Sequence, residues 1–187
     1  MVPARRVEPG KIRSGRAGAP DFSQPLDALK AGHERIRAQC ETLRELAKHL
    51  PLYYCDAWAQ QAASNILRYF DGAARHHEED EEHDLFPRML AAATGQAAER
   101  VALLTARLER QHRDMAAAWS NLRDTLERVA NGEIAPLDKL EVSNFRELYR
   151  AHMAIEDVEV IPLAAVLLDA DALAALGRAM AARRGVR

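Results

Sequence analysis

The chain has 187 residues, 48% of them hydrophobic and 29% charged, with a formal net charge of −2. That length and balance fit one globular domain with a substantial core. They exclude a membrane-spanning helix, because no run approaches about 18 uninterrupted apolar residues, and they give no reason to expect nucleic acid as the main partner.

Residues 1–24 mix Pro, Gly, Arg and Ser without periodicity, and the first 20 carry five basic residues against one acidic. A flexible basic arm is expected there, a solvated tail that also offers a contact for a protein partner. Arg5 and Arg6 precede no apolar run, so a signal peptide is not expected. Two cysteines, Cys40 and Cys55, are too few for a disulfide framework, and a cytoplasmic location is expected.

From residue 25 to 187 the expectation is all-α: an up-down-up-down four-helix bundle with a short extra C-terminal helix. The first helix opens with Ser23 as cap and Pro25 in its first turn, and Pro51 ends it. Leu26, Leu29, His33, Ile36, Cys40, Leu43, Ala47 and Leu50 form its inward seam at alternating steps of three and four. The second helix starts near Asp56 and turns Ala62, Ile66, Phe70, Ala73, His77, Glu81 and Leu85 inward until Pro87 kinks or ends it. The third, from about Gln96 to Ala130, places Val101, Leu108, Met115, Leu122 and Val129 seven apart, with Thr105, His112, Trp119 and Leu126 beside them. The fourth begins near Pro136, carries Phe145, Leu148, Tyr149, His152, Glu156, Val160 and Leu163 inward, and is interrupted by Pro162. Asp169 caps the short fifth helix, which ends near Gly185.

Each seam holds one histidine. The second and fourth also hold a glutamate four residues after it, giving His-x3-Glu-x5-Pro twice, at His77–Pro87 and His152–Pro162. Residues i and i+4 share a helix face, so two such pairs plus His33 and His112 bring four imidazoles and two carboxylates into one small volume. Burying a polar group without a partner costs about 1–3 kcal/mol. Six would consume the roughly 5–15 kcal/mol that keeps a domain folded, and a metal is the simplest compensation. A carboxylate bridges two cations, each with two imidazoles, and this donor set suits iron, manganese or zinc. Glu78, Glu79 and Glu82 are expected on a solvated face, His76 and His83 on the surface, His49 without a partner, and Trp119 in the core. Cys40 is expected to be a buried inert thiol, and Tyr149 to pack beside the centre. Glu78 and Tyr149 are also candidate additional ligands.

The segments HHEEDEEHDLFP (76–87) and HMAIEDVEVIP (152–162) resemble the two signatures of the hemerythrin-like, or HHE cation-binding, domain, over about residues 25–168. The resemblance implies a four-helix bundle around two iron ions, with manganese or zinc as possible substitutes. By that resemblance the metal ligands are His33, His77, Glu81, His112, His152 and Glu156. Oxygen-carrying hemerythrins have a His-x3-His pair on the third helix, whereas here Leu108 and Ala116 flank His112. The four-His, two-Glu set is more similar to di-iron proteins implicated in iron-cluster repair and nitric-oxide stress. A small ligand such as O2, NO or peroxide is therefore expected, in oxidative or nitrosative stress or iron handling. No general acid or base stands out, so turnover as an enzyme is left open. A metal-dependent regulatory module read by a protein partner, or a metal-free helical scaffold, are the alternatives.

Overall fold

The structure is a computed structural model that describes residues 21–186; the rest of the basic arm, residues 1–20, lies outside the described residues. It is an all-α bundle: α1 (Pro25–Tyr53), α2 (Ala57–Arg68), α3 (Arg75–Asp80), α4 (Phe86–Ala92), α5 (Gly95–Ala130), α6 (Lys139–Ile155), α7 (Ile161–Leu167) and α8 (Ala170–Arg183). Short π-helical turns join some of these into continuous rods: Tyr69–Ala74 and Glu81–Leu85 link α2, α3 and α4, and Glu156–Val160 links α6 to α7. The four rods are thus α1, α2–α4, α5 and α6–α7. α1 and α5 each pack against α2 and α6, closing a square around the core. Among the described residues no helix is long and apolar enough to cross a membrane.

The caps explain most of the boundaries. Asp56 accepts from the Ala59 amide, Asp138 from Leu140 and Glu141, and Asp169 from Ala172, each relieving an amide that has no partner inside the helix. Ser23 is not the first cap: Gln24 holds that position without a side-chain bond, and the Ser23 amide donates to Asp21 Oδ1 at 2.9 Å. Pro51 does not stop α1, which continues to Tyr53. The fourth rod starts at Lys139, after Asp138, rather than near Pro136.

Pro87 and Pro162 do not end their rods either. Each sits in the first turn of the following helix, directly after a π turn that begins at Glu81 or Glu156. Proline lacks the amide a continuing α-helix needs and crowds the carbonyl four residues back. A wider i→i+5 turn accommodates it, and such turns concentrate at functional sites. The earlier π turn has a similar effect on register. It takes up one extra residue, so Ala74 is buried and the expected Ala73 is exposed.

The apolar core forms two clusters. One contains Ile36, Leu43, Ile66, Phe70, Met115, Phe145 and Tyr149; the other contains Leu29, Leu85, Phe86, Leu108, Val160 and Leu176. Between them lies a polar layer. Trp119 is only half-buried, and its indole N–H donates to Asp71 at 2.9 Å. Cys40 is buried, and burial pushes its thiol up to about 12, which makes it inert as a nucleophile.

α8 lies across α1 and α3. A Cβ at Gly177 would stand 2.0 Å from the carbonyl oxygen of Phe22, so the 21–25 segment has to move if that glycine is replaced. Gly177→Ala is expected to destabilise by about 1–3 kcal/mol, read as a melting temperature lower by roughly 2–12 °C. Gly72→Ala, with open space around its Cβ, serves as the control and should melt like the parent.

Candidate metal centre

All six side chains expected from the sequence meet in the polar layer. Their exposures are 0% for His33, 6% for His77, 1% for Glu81, 4% for His112, and 2% each for His152 and Glu156. They form two groups, His33–His77–Glu81–Glu156 and Glu81–His112–His152–Glu156, with the offered nitrogen and oxygen atoms of each group within 4.8 Å of one another. Both carboxylates belong to both groups, and each divides its oxygens between them. Glu81 Oε1 lies 2.9 Å from His77 Nε2, while its Oε2 lies 3.2 Å from His112 Nε2 and 3.9 Å from His152 Nε2. Glu156 Oε2 lies 3.1 Å from His33 Nε2, and its Oε1 lies 3.2 Å from His152 Nε2.

These contacts do not satisfy the atoms that make them. His33 Nε2, His77 Nε2, Glu81 Oε2 and Glu156 Oε2 are buried without a hydrogen bond of acceptable geometry. His112 Nε2 and His152 Nε2 face one another at 3.1 Å. Buried polar atoms are almost always partnered. A layer of inward lone pairs without partners is the pattern that metal ions complete, and the donor set fits two of them.

The outward ring nitrogens are held. His33 Nδ1–H donates to Asp157 Oδ1 at 2.7 Å, and His112 Nδ1–H donates to Glu82 Oε1 at 2.6 Å. His152 Nδ1–H donates to Gln111 Oε1 at 3.1 Å. An ionised carboxylate only accepts, so the proton sits on Nδ1 and the Nε2 lone pair is turned inward. Arg37 pairs with Asp157 Oδ2 at 2.5 Å and fixes that carboxylate in turn.

The sequence reading placed these partners incorrectly or passed over them. Glu82 is not a solvated bystander, because it holds His112. Glu78 is not on a solvated face, because Tyr149 Oη donates to its Oε1 at 3.1 Å, and burial raises its pKa. Glu79 contacts Arg183 Nε at 3.5 Å. His49 Nε2 lies 3.0 Å from Asp56 Oδ1 without a hydrogen bond of acceptable geometry, and its ring packs on Trp58 and Tyr53. His83 is exposed and His76 half-buried. Asp157, Gln111 and Asp80 were not anticipated. A signal for the first was present: in both copies the residue after the shared glutamate is acidic, Glu82 and Asp157.

The electrostatics of the metal-free chain favour protons where cations would sit. Burial opposes charge on His112, but Glu81 outweighs it and the group is pushed up to about 9. His152 is pushed up to about 10, with burial again outweighed, here by Glu156 and Glu81. His33 is raised, as Glu156, Glu81 and Asp157 overcome its burial. Glu81 is held well below the usual carboxylate range despite full burial, by His77, His112 and His152. The raised histidines contribute stability that is complete below their ordinary 6.5 and disappears as pH climbs through 9 to 10. Glu81 contributes stability that is present above 4.5 and lost in acid. Metal-free protein is therefore expected to melt highest between pH 4.5 and 6.5 and to lose roughly 5 °C or more by pH 10. A flat melting profile across pH 6–10 would contradict this charge assignment.

Comparison with known proteins agrees with the geometry. An uncharacterized protein of Haemophilus influenzae is 28% identical over 166 residues, covering 89% of this chain and 93% of the relative. Residues 24–164 match the hemerythrin HHE cation-binding domain, a span that includes all six converging side chains. The chain belongs to the hemerythrin HHE cation-binding family, and its buried His/Glu layer makes it a metal-binding protein.

Proposed function

We propose that the chain holds two iron ions, bridged by Glu81 and Glu156, with His33 and His77 on one ion and His112 and His152 on the other. Manganese or zinc would occupy the same donors. The observation that carries this reading is the division of each carboxylate between the two groups, one oxygen to each. A single-ion site has no use for that symmetry. Four protein donors leave an iron ion short of its preferred number, so positions remain for a small exogenous ligand: O2, NO or peroxide.

Iron bound there supplies a reversible redox change and open coordination positions. The chain's own side chains do the rest. Asp157, Glu82 and Gln111 keep the Nδ1 protons in place and orient three of the rings. Phe86, Leu108, Ile155 and Met153 belong to the buried core clusters and exclude bulk water from the layer. Work in oxidative or nitrosative stress or in iron handling, in a reducing cytoplasmic setting consistent with two free cysteines, follows from this chemistry. Anaerobic loading with iron(II), followed by metal analysis, should return about two ions per chain. Exposure to air or to NO should then change the visible spectrum. Fewer than one ion per chain with no spectral response would sink the proposal.

A second reading has its own support. Asp80 lies between His77 and Glu81, is 0% exposed, and is gripped by Arg183 and Arg184 at the end of α8. A shift of α3 on metal binding would be passed to α8, where a protein partner could read it. Comparing proteolysis of α8 in loaded and metal-free protein tests this: equal cleavage rates refute it.

A further inference from the structure

His77 differs from the other three histidines. Their Nδ1 atoms are held by Asp157, Glu82 and Gln111. No acceptor among the described residues bonds His77 Nδ1. Its ring instead packs on Gly32, where a Cβ would come within 2.7 Å of that nitrogen. His77 is also the most exposed of the six at 6%. It lines an open cavity of about 340 Å³ between α1, the Tyr69–Ala74 turn, α3 and α8.

The cavity wall carries one uncompensated positive charge. Arg35 lines it beside the Tyr69 hydroxyl and has no ion-pair partner among the described residues. Arg184 and His76 line it as well. Asp80 is the sole carboxylate among the lining residues, and both its oxygens are taken by Arg183 and Arg184. An unpaired guanidinium and an imidazole Nδ1 without a partner therefore border one space large enough for a small organic acid, beside the Tyr69 hydroxyl, which donates to the Gly32 carbonyl oxygen at 3.4 Å.

We propose that this cavity binds a small oxyanion, inorganic phosphate or a short carboxylate, whose oxygen accepts from His77 Nδ1 and whose charge pairs with Arg35. The bound anion supplies for His77 the acceptor that Asp157, Glu82 and Gln111 supply for the other rings. Partners of that kind change metal affinity by about 10–100-fold. The regulatory consequence rests on the metal reading above: the anion tightens the His33–His77 position over its neighbour. The binding itself does not depend on that reading.

The test is calorimetric titration of potassium phosphate, and separately of sodium acetate, into the metal-loaded full chain at constant ionic strength set with chloride. Arg35→Ala, Arg35→Lys and the cavity-filling Met180→Trp run in parallel, and metal is counted in every sample. Saturable binding of either anion is expected, weakened at least about tenfold in Arg35→Ala, partly restored in Arg35→Lys and absent in Met180→Trp. The anion that binds identifies the source. In zinc-loaded protein the His77 Nδ1–H resonance should move on adding that anion. Absence of saturable binding by both anions overturns the proposal. So does equal binding by the parent and Arg35→Ala, which would place the anion on the metal directly. Should Met180→Trp fail to fold, the Arg35 pair still decides. A chain that binds the anion but holds no metal refutes the two-iron reading and leaves this site standing.

Discussion

Glu81→Gln is expected to empty both cation positions, whereas His33→Ala is expected to leave about one ion per chain. The difference follows from geometry. Glu81 serves His77 through one oxygen and His112 and His152 through the other, so its loss strips a donor from both groups and removes a formal charge from the layer. His33 serves one group alone. Losing an outer hydrogen-bond partner of a ligand already costs about 10–100-fold in metal affinity, and losing the ligand itself costs more. Glu156→Gln should behave like Glu81→Gln, and His112→Ala like His33→Ala. Metal analysis after anaerobic loading, with circular dichroism to confirm folding, decides the matter. If glutamate and histidine variants lose metal to the same extent, the carboxylates do not bridge.

The second large effect concerns stability rather than metal. Asp80 is fully buried, with Arg183 and Arg184 bonded to its two oxygens and Arg183 also reaching Asp84 at 2.6 Å. The arginines are mostly covered, at 18% and 21% side-chain exposure. Removing both leaves a buried carboxylate uncompensated, which costs about 3–5 kcal/mol. That is a large share of the roughly 5–15 kcal/mol available to a domain. The Arg183→Ala, Arg184→Ala double variant should melt roughly 6–20 °C lower, and the triple variant that adds Asp80→Leu should recover much of the loss, since the stranded charge is gone. A double variant melting within a degree or two of the parent would mean that water reaches Asp80.

Much of this architecture can be read from residue spacing, because a packed helix has to repeat its inward face every three or four positions. The seams found His33, His77, His112, His152 and both glutamates, and the structure brings all six together. What spacing cannot reveal is a change of period. The π turn at Tyr69–Ala74 moves the buried position from Ala73 to Ala74, and a pattern built on 3.6 residues per turn has no room for it. For the same reason spacing suggests a kink or an end at Pro87 and an interruption at Pro162, where the rods in fact continue through π turns. The acidic run 78–84 misled differently: its charges suggest solvent, but Glu78, Asp80, Glu82 and Asp84 each have a specific partner inside the fold. Partners more than 30 residues away, such as Tyr149 for Glu78 and Arg183 for Asp80, are set by tertiary packing, which a one-dimensional pattern does not carry.

The acid after each shared glutamate crosses from one helical hairpin to the other. Glu82, from the first, holds His112 of the second; Asp157, from the second, holds His33 of the first. Neither half can therefore assemble a working pocket by itself, since each borrows an orienting oxygen from its counterpart. Separating the hairpins even slightly would release both rings in the same movement. Loading of the proposed two-ion centre is in this way tied to how closely the hairpins pack, and loosening that packing should weaken both positions together.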